Sequence, residues 1–193
     1  MNLFDNALEF AIKKHSGMMR KREKIPYILH PLEVAAIAGT LTDDTEILAA
    51  AVLHDTAEDT DASIEEIEAV FGSRVAALVA SETENKRPET NPEESWRIRK
   101  KESLEKLKQA SDIGVKILWL ADKLSNMRSF YRLWKNEGSA MWETFNQKDP
   151  AWQAWYYRSV CILVEDLKDS EAWSEYNRLV ETVFEGIHNG SEI

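Results

Sequence analysis

The chain has 193 residues, a formal net charge of −10 and 44% hydrophobic residues. That acidic balance argues against nucleic acid as a partner, because binding a phosphate backbone needs a clustered basic surface. A single cysteine, Cys161, excludes an internal disulfide, and neither a secretory leader nor an apolar run of membrane-spanning length is visible, so we expect one cytoplasmic domain over residues 1–193.

The pattern is helical from end to end. Leu3, Phe4, Ala7, Leu8, Ala11 and Ile12 recur at the spacing of an amphipathic helix running from Leu3 to His15. A second helix is expected from Pro31 to about Leu41, with His30 at its entrance because proline suits the first helical position. A third follows from about Asp44 to Ala57. Ser63 and Glu66 have capping-box spacing and open a short helix that stops near Gly72. Residues 82–94, rich in Glu, Asn, Thr and Pro, read as the one long loop. Further helices are expected near 96–109, 112–134, 139–147, 150–168 and 170–187. No strand alternation and no fixed-period repeat is visible, so the fold class is all-α, with about ten helices. Cys161 and the later tryptophans, Trp134, Trp142, Trp152, Trp155 and Trp173, read mainly as core or helix-contact residues.

The segment Leu53-His54-Asp55-Thr56-Ala57-Glu58-Asp59 does not read as ordinary core. It closes an apolar run from Ile47 to Leu53 with one imidazole and three carboxylates. Gathering carboxylates in a poorly solvated place costs on the order of several kcal/mol per charge unless a cation or hydrogen bonds compensate. On a helix, His54 and Glu58 share one face and Asp55 and Asp59 an adjacent one. With His30 and Asp122, which interrupts the apolar run Val115–Ala121, two histidines and two aspartates on three helical segments make a nitrogen/oxygen site suited to Mn, Fe or Zn. The alternative reading of each residue alone is a solvated acidic turn or an ion-pair partner. Arg20-Lys21-Arg22 and the cluster Arg97, Arg99, Lys100, Lys101 make a positive pocket in an acidic protein if they flank that site.

The order His30, His54-Asp55, Asp122 resembles the metal-dependent HD phosphohydrolase superfamily. The segments His15-Ser16-Gly17-Met18-Met19-Arg20-Lys21, Pro26-Tyr27-Ile28-Leu29-His30-Pro31 and Leu120-Ala121-Asp122-Lys123-Leu124-Ser125-Asn126 are similar to the hydrolase domain of RelA/SpoT enzymes, and most of all to stand-alone small alarmone hydrolases. The chain departs from that pattern at Met18, where Gln is common, and lacks a Gly in the Arg22–Ile25 stretch. The resemblance implies a single-domain HD fold and removal of the 3′-pyrophosphate of (p)ppGpp. It implies one divalent metal, Mn, held by His30, His54, Asp55 and Asp122, with Glu58 and Asp59 orienting or deprotonating the attacking water. It also implies nucleotide contacts from Arg20, Lys21 and Asn126, with Tyr156 stacking on the base; the basic cluster after Trp96 adds Arg97 as a further expected substrate contact. With four histidines and His188 in the polar tail, a binuclear site is not expected. At this length no synthetase or regulatory domain is expected, and a homodimer is left open. Two other readings stand beside this one: an HD phosphohydrolase acting on the 2′-phosphate of NADPH or on nucleoside monophosphates, and a non-catalytic alarmone-binding module.

Overall fold

Buried polar side chains gather near the middle of a helical bundle, and the helices are best understood by how they carry them there. The structure is a computed structural model that describes residues 2–20 and 24–190. In chain order its α-helices are α1 (Leu3–Lys14), α2 (Leu29–Ala38), α3 (Thr45–Leu53), α4 (Thr56–Asp59), α5 (Ile64–Phe71), α6 (Ser73–Glu82), α7 (Pro92–Gln109), α8 (Ile113–Glu137), α9 (Pro150–Leu163) and α10 (Glu171–Val183). Two 3-10 segments, Gly138–Thr144 and Glu165–Leu167, link the last three helices. Among the described residues there is no strand, only an isolated antiparallel bridge between Met19 and Pro26. The all-α expectation therefore holds.

α3 is the hub. Ile47 and the run from Ala49 to Leu53 are buried, as expected of a helix apolar on every side. Its alanines, with the shortest side chains that still favour a helix, let α1, α2, α6 and α8 all pack against it. The second long element, α8, packs against α2, α3 and α10 and is buried through most of its length. Four polar residues on it, Asp122, Lys123, Ser125 and Ser129, are nevertheless buried. Buried polar groups need partners, so these four mark where the helix does something other than pack.

Several boundaries differ from the pattern-based reading. α2 begins at Leu29, two residues before Pro31, so His30 lies inside the first turn rather than before it. Proline is tolerated there because the first helical N–H groups have no intrahelical acceptor to lose. The third helix does not run to Ala57: it stops at Leu53, and α4 restarts at Thr56. The Thr56 hydroxyl donates to the Leu53 carbonyl at 2.5 Å and His54 Nδ1 lies 2.9 Å from the Ala51 carbonyl, so side chains take acceptors the helical ladder would use. α6 was not anticipated. α7 starts at Pro92 because Asn91 caps it, accepting from the Glu93 amide, which shortens the expected loop. The helix expected over 139–147 is a 3-10 segment, and α9 ends at Leu163 rather than 168. The Ser63 cap is as expected, its hydroxyl accepting from the Glu66 amide at 3.1 Å. No helix is long and apolar enough to cross a membrane among the described residues.

Gly72 joins α5 to α6 with φ 93° and ψ 163°, a conformation essentially confined to glycine, and a Cβ there would meet nothing within 4 Å. Gly72→Ala is thus a pure test of backbone strain. It should lower stability by about 1–3 kcal/mol in urea unfolding; an unchanged midpoint would contradict this conformation.

Candidate active site

Helices α2 and α8 and the α3–α4 break bring their polar side chains to one place. His30 comes from α2, His54 and Asp55 from the break, and Asp122 from the middle of α8. His30, His54 and Asp122 are at most 4% exposed. His30 Nε2 lies 3.0 Å from Asp122 Oδ1 and 3.5 Å from Asp55 Oδ2. His54 Nε2 lies 3.1 Å from Asp55 Oδ2 and 3.6 Å from Asp122 Oδ1. His30, His54 and Asp122 each offer a ligand atom within 4.8 Å of the others, a group that can hold a metal ion.

The donor chemistry fits a divalent cation. The Ala51 carbonyl is only an acceptor, so His54 Nδ1 facing it carries the proton. In the neutral ring this leaves Nε2 as a buried lone pair, and it has no hydrogen-bond partner. Burial disfavours charge on His54, yet the Asp55 and Asp122 carboxylates outweigh it and raise its pKa well above the ordinary imidazole value. Burial would also raise Asp55 and Asp122, but His54 holds the Asp55 carboxyl below the usual carboxylate range, and Lys123 with the two imidazoles does the same for Asp122. A negative potential strong enough to draw a proton to His54 acts on a dication with twice the charge.

Around these four residues lies a shell of fixed partners. Lys123 donates to Asp122 Oδ2 and, at 3.1 Å, to Glu82 Oε2, which turns Asp122 Oδ1 toward the histidines. Burial pushes the Glu82 carboxyl up to about 7, with Lys123 pulling against it. The Tyr27 hydroxyl is 2.6 Å from Asp55 Oδ2 and 2.7 Å from Asp59 Oδ2, its one proton serving two carboxylates. Its ring stacks on buried His15 at 4.9 Å. The Glu58 carboxylate accepts from the Glu84 amide at 3.1 Å, and burial, with Asp55 adding to it, raises its pKa. Lys86 reaches over both acidic residues, donating to Asp59 Oδ1 at 2.5 Å and to the Glu58 carbonyl at 2.8 Å.

A cavity of about 740 Å³ adjoins this cluster, sharing Tyr27, Asp59, Lys123 and Asn126 with it. Arg20, Lys100, Trp96, Tyr156, Met18 and Phe145 are among its other walls. Arg20 donates to Asn126 Oδ1 at 3.1 Å, and Asn126 Nδ2 donates to Asp122 Oδ1 at 2.7 Å, so these two expected substrate residues adjoin the histidine–aspartate cluster. Tyr156 lines the cavity but is buried, with Trp96 edge-on at 6.0 Å and the Lys100 amine 4.9 Å from its ring centre. Lys21 and Arg22 lie outside the described residues. Arg97 is not brought to this cavity: its guanidinium lies over Trp152 at 4.9 Å. Successive helical residues point about 100° apart, so α7 can turn only part of its basic cluster inward, and Lys100 is the member that lines the cavity. Arg99 and Lys100 both pair with Glu84, at 2.8 and 2.6 Å.

Tyr27, Glu82, Lys86 and Lys123 were not picked out from the sequence as parts of the site. The signal for Lys123 was available, since a lysine inside an apolar helix beside Asp122 must be paired. Nothing local in the sequence marks Lys86, whose role depends on how its loop folds back.

The HD domain family profile matches residues 7–152. The chain belongs to the HD domain family. A GTP pyrophosphokinase of Myxococcus xanthus is 37% identical over 131 residues, covering 67% of this chain but only 17% of that protein. The chain thus spans about a sixth of the long bacterial relative. The human guanosine-3′,5′-bis(diphosphate) 3′-pyrophosphohydrolase MESH1 is 42% identical over 129 residues, covering 65% of this chain and 68% of MESH1. A solved structure of a metazoan ortholog of SpoT, described as hydrolyzing ppGpp with a role in starvation responses, is similar at a TM-score of 0.75 and 26% identity, covering 94% of this chain and 96% of the other.

Glu82 gives the site a pH signature. Its folded-state pKa is raised from 4.5 to about 7, so its stabilising contribution is full below pH 4.5 and is lost as pH rises through about 7. Glu82→Gln lacks that loss. The stability of the variant minus that of the wild type should therefore climb between pH 4.5 and about 7 and then level off. A difference that stays flat in thermal unfolding across that window would contradict the assignment.

Proposed function

We propose that this chain is a metal-dependent hydrolase that removes the 3′-pyrophosphate of (p)ppGpp. The observation that carries the reading is the convergence of buried His30, His54 and Asp122 with partly buried Asp55 beside a cavity of nucleotide size walled by cations and aromatic rings. The activity named for MESH1 and for the SpoT ortholog supports it.

In this reading the four residues hold one Mn²⁺, which when bound neutralises phosphate charge and makes water more acidic. The chain's own groups do the rest. Arg20 and Asn126 stand at the junction of cavity and cluster, where they hold the phosphates beside the reacting phosphorus. Glu58 takes the proton of the attacking water on a carboxylate oxygen. Its raised pKa brings it closer to neutrality, where a general base works best. Asp59, bridged by Tyr27 to Asp55, orients that water, and Lys86 offsets the charge of the two neighbouring carboxylates. Lys100 and the aromatic wall with Tyr156 take the nucleoside.

Three expectations follow. Asp122→Asn or His54→Ala should abolish pyrophosphate release and bring bound metal far below one per chain, because each removes a direct ligand. Full activity with stoichiometric metal in either variant would remove the site. Glu58→Gln should keep metal and nucleotide binding yet lose orders of magnitude in kcat, since an amide cannot accept the proton; near-normal turnover makes Glu58 a bystander. Arg20→Met should raise KM for ppGpp more than it lowers kcat, as expected for a contact to ground-state phosphate. The decisive comparison is kcat/KM for ppGpp against NADPH, GMP and AMP with the Mn-loaded wild type. If ppGpp is not the best substrate, the alarmone reading fails.

A further inference from the structure

The two histidines of the cluster are oriented from behind by different means. For His54 the acceptor is a backbone carbonyl, fixed by the helix itself. His30 Nδ1 instead faces a side chain, the Ser125 hydroxyl, at 2.9 Å. A hydroxyl can donate or accept, so by itself it sets neither the tautomer nor the direction of the ring.

The direction is set one step further out. Ser125 donates its proton to Glu33 Oε2 at 2.8 Å, and a carboxylate can only accept. With its single proton committed to Glu33, Ser125 turns lone pairs toward His30. Nδ1 must then supply the proton between them, and Nε2 is left bare toward Asp122 and Asp55. Ser125 is fully buried, so no bulk water competes for its hydroxyl. Glu33 is held in turn: Arg128 donates to its other oxygen at 3.0 Å and grips Glu175 on α10 with two bonds of 2.9 and 2.6 Å. The result is a continuous line of donors and acceptors from the C-terminal helix through α8 and α2 to the imidazole. α10 supplies no residue to the cluster itself.

We propose that Ser125 is a positioning residue that fixes His30 as the Nδ1–H tautomer with Nε2 directed at the metal, and that Glu33, anchored through Arg128 to Glu175, imposes this on Ser125. The inference rests on the reading of His30 as a metal ligand. Hydrogen bonds behind ligating histidines raise ligand basicity and fix the ring, and losing them costs about 10–100-fold in metal affinity. The competing account makes Ser125 merely a small residue that lets α2 and α8 pack.

Ser125→Ala separates the two, since it keeps the close packing and removes the hydroxyl. Glu33→Gln is the second variant, on a partly exposed side chain. Two measurements apply to the full chain. One is the Mn²⁺ dissociation constant of metal-depleted protein by titration calorimetry. The other is the exchange rate of the His30 Nδ1–H proton, observed by NMR with Zn²⁺ as a diamagnetic probe. Ser125→Ala should bind Mn²⁺ about 10–100-fold more weakly, and Glu33→Gln should show a smaller loss in the same direction. In both the Nδ1–H proton should exchange faster than in the wild type, while the melting temperature of the metal-free protein changes little. Wild-type affinity and an unchanged N–H signal in both variants would overturn the proposal and leave the metal site standing. Metal binding that survives His30→Ala undiminished would overturn the site reading, and this proposal with it.

Discussion

Each of two imidazoles lies 3.0–3.6 Å from two carboxylates, with three of the four groups almost wholly buried, and that concentration of polar atoms organises much of the molecule. Like charges in such a place repel and each forfeits hydration, so every member requires a partner that is already in position. The partners come from all around the cluster. Lys123 takes the rear oxygen of Asp122, Tyr27 caps Asp55, the Ala51 carbonyl holds His54 and Ser125 meets His30. Glu82 then balances Lys123 from α6. Most of the buried polar side chains among the described residues belong to this assembly or touch it, and helices α3 and α8 are the frame that keeps it fixed.

The same frame explains the division between chemistry and recognition. Side chains at the α3–α4 break face the cluster, whereas the cavity is walled by the Met18–Arg20 segment, α7 and α9, which supply none of the four clustered residues, and by α8, which also carries Asp122. Met18 and Met19 both line it, placing flexible apolar side chains beside Arg20. Asn126 belongs to both halves, since one end of its amide meets Asp122 and the other Arg20. Arg20 is therefore tied to Asp122 through one side chain.

Much of this was legible in the sequence. His54, Asp55 and Asp122 interrupt apolar helical runs, and buried polar residues in such runs announce a site. Helical periodicity located α1, α5 and α8 closely because each has a strong apolar stripe or a clear cap. The break at His54 was invisible because Thr56 and His54 act on the backbone through hydrogen bonds that spacing does not reveal. Arg97 and Lys100 looked equivalent as members of one basic cluster, and only the rotation of α7 separates a cation over Trp152 from one in the cavity. Lys86 and Glu33 act across 27 and 92 positions of sequence, on Asp59 and Ser125, distances at which local pattern carries no information.

That the cluster is a single metal site is tested most directly by anomalous diffraction from crystals grown with Mn²⁺. One strong anomalous peak per chain is expected, coordinated by Nε2 of His30 and His54 and by carboxylate oxygens of Asp55 and Asp122. A map with no peak there, or with the only ordered Mn²⁺ bound elsewhere, would contradict it.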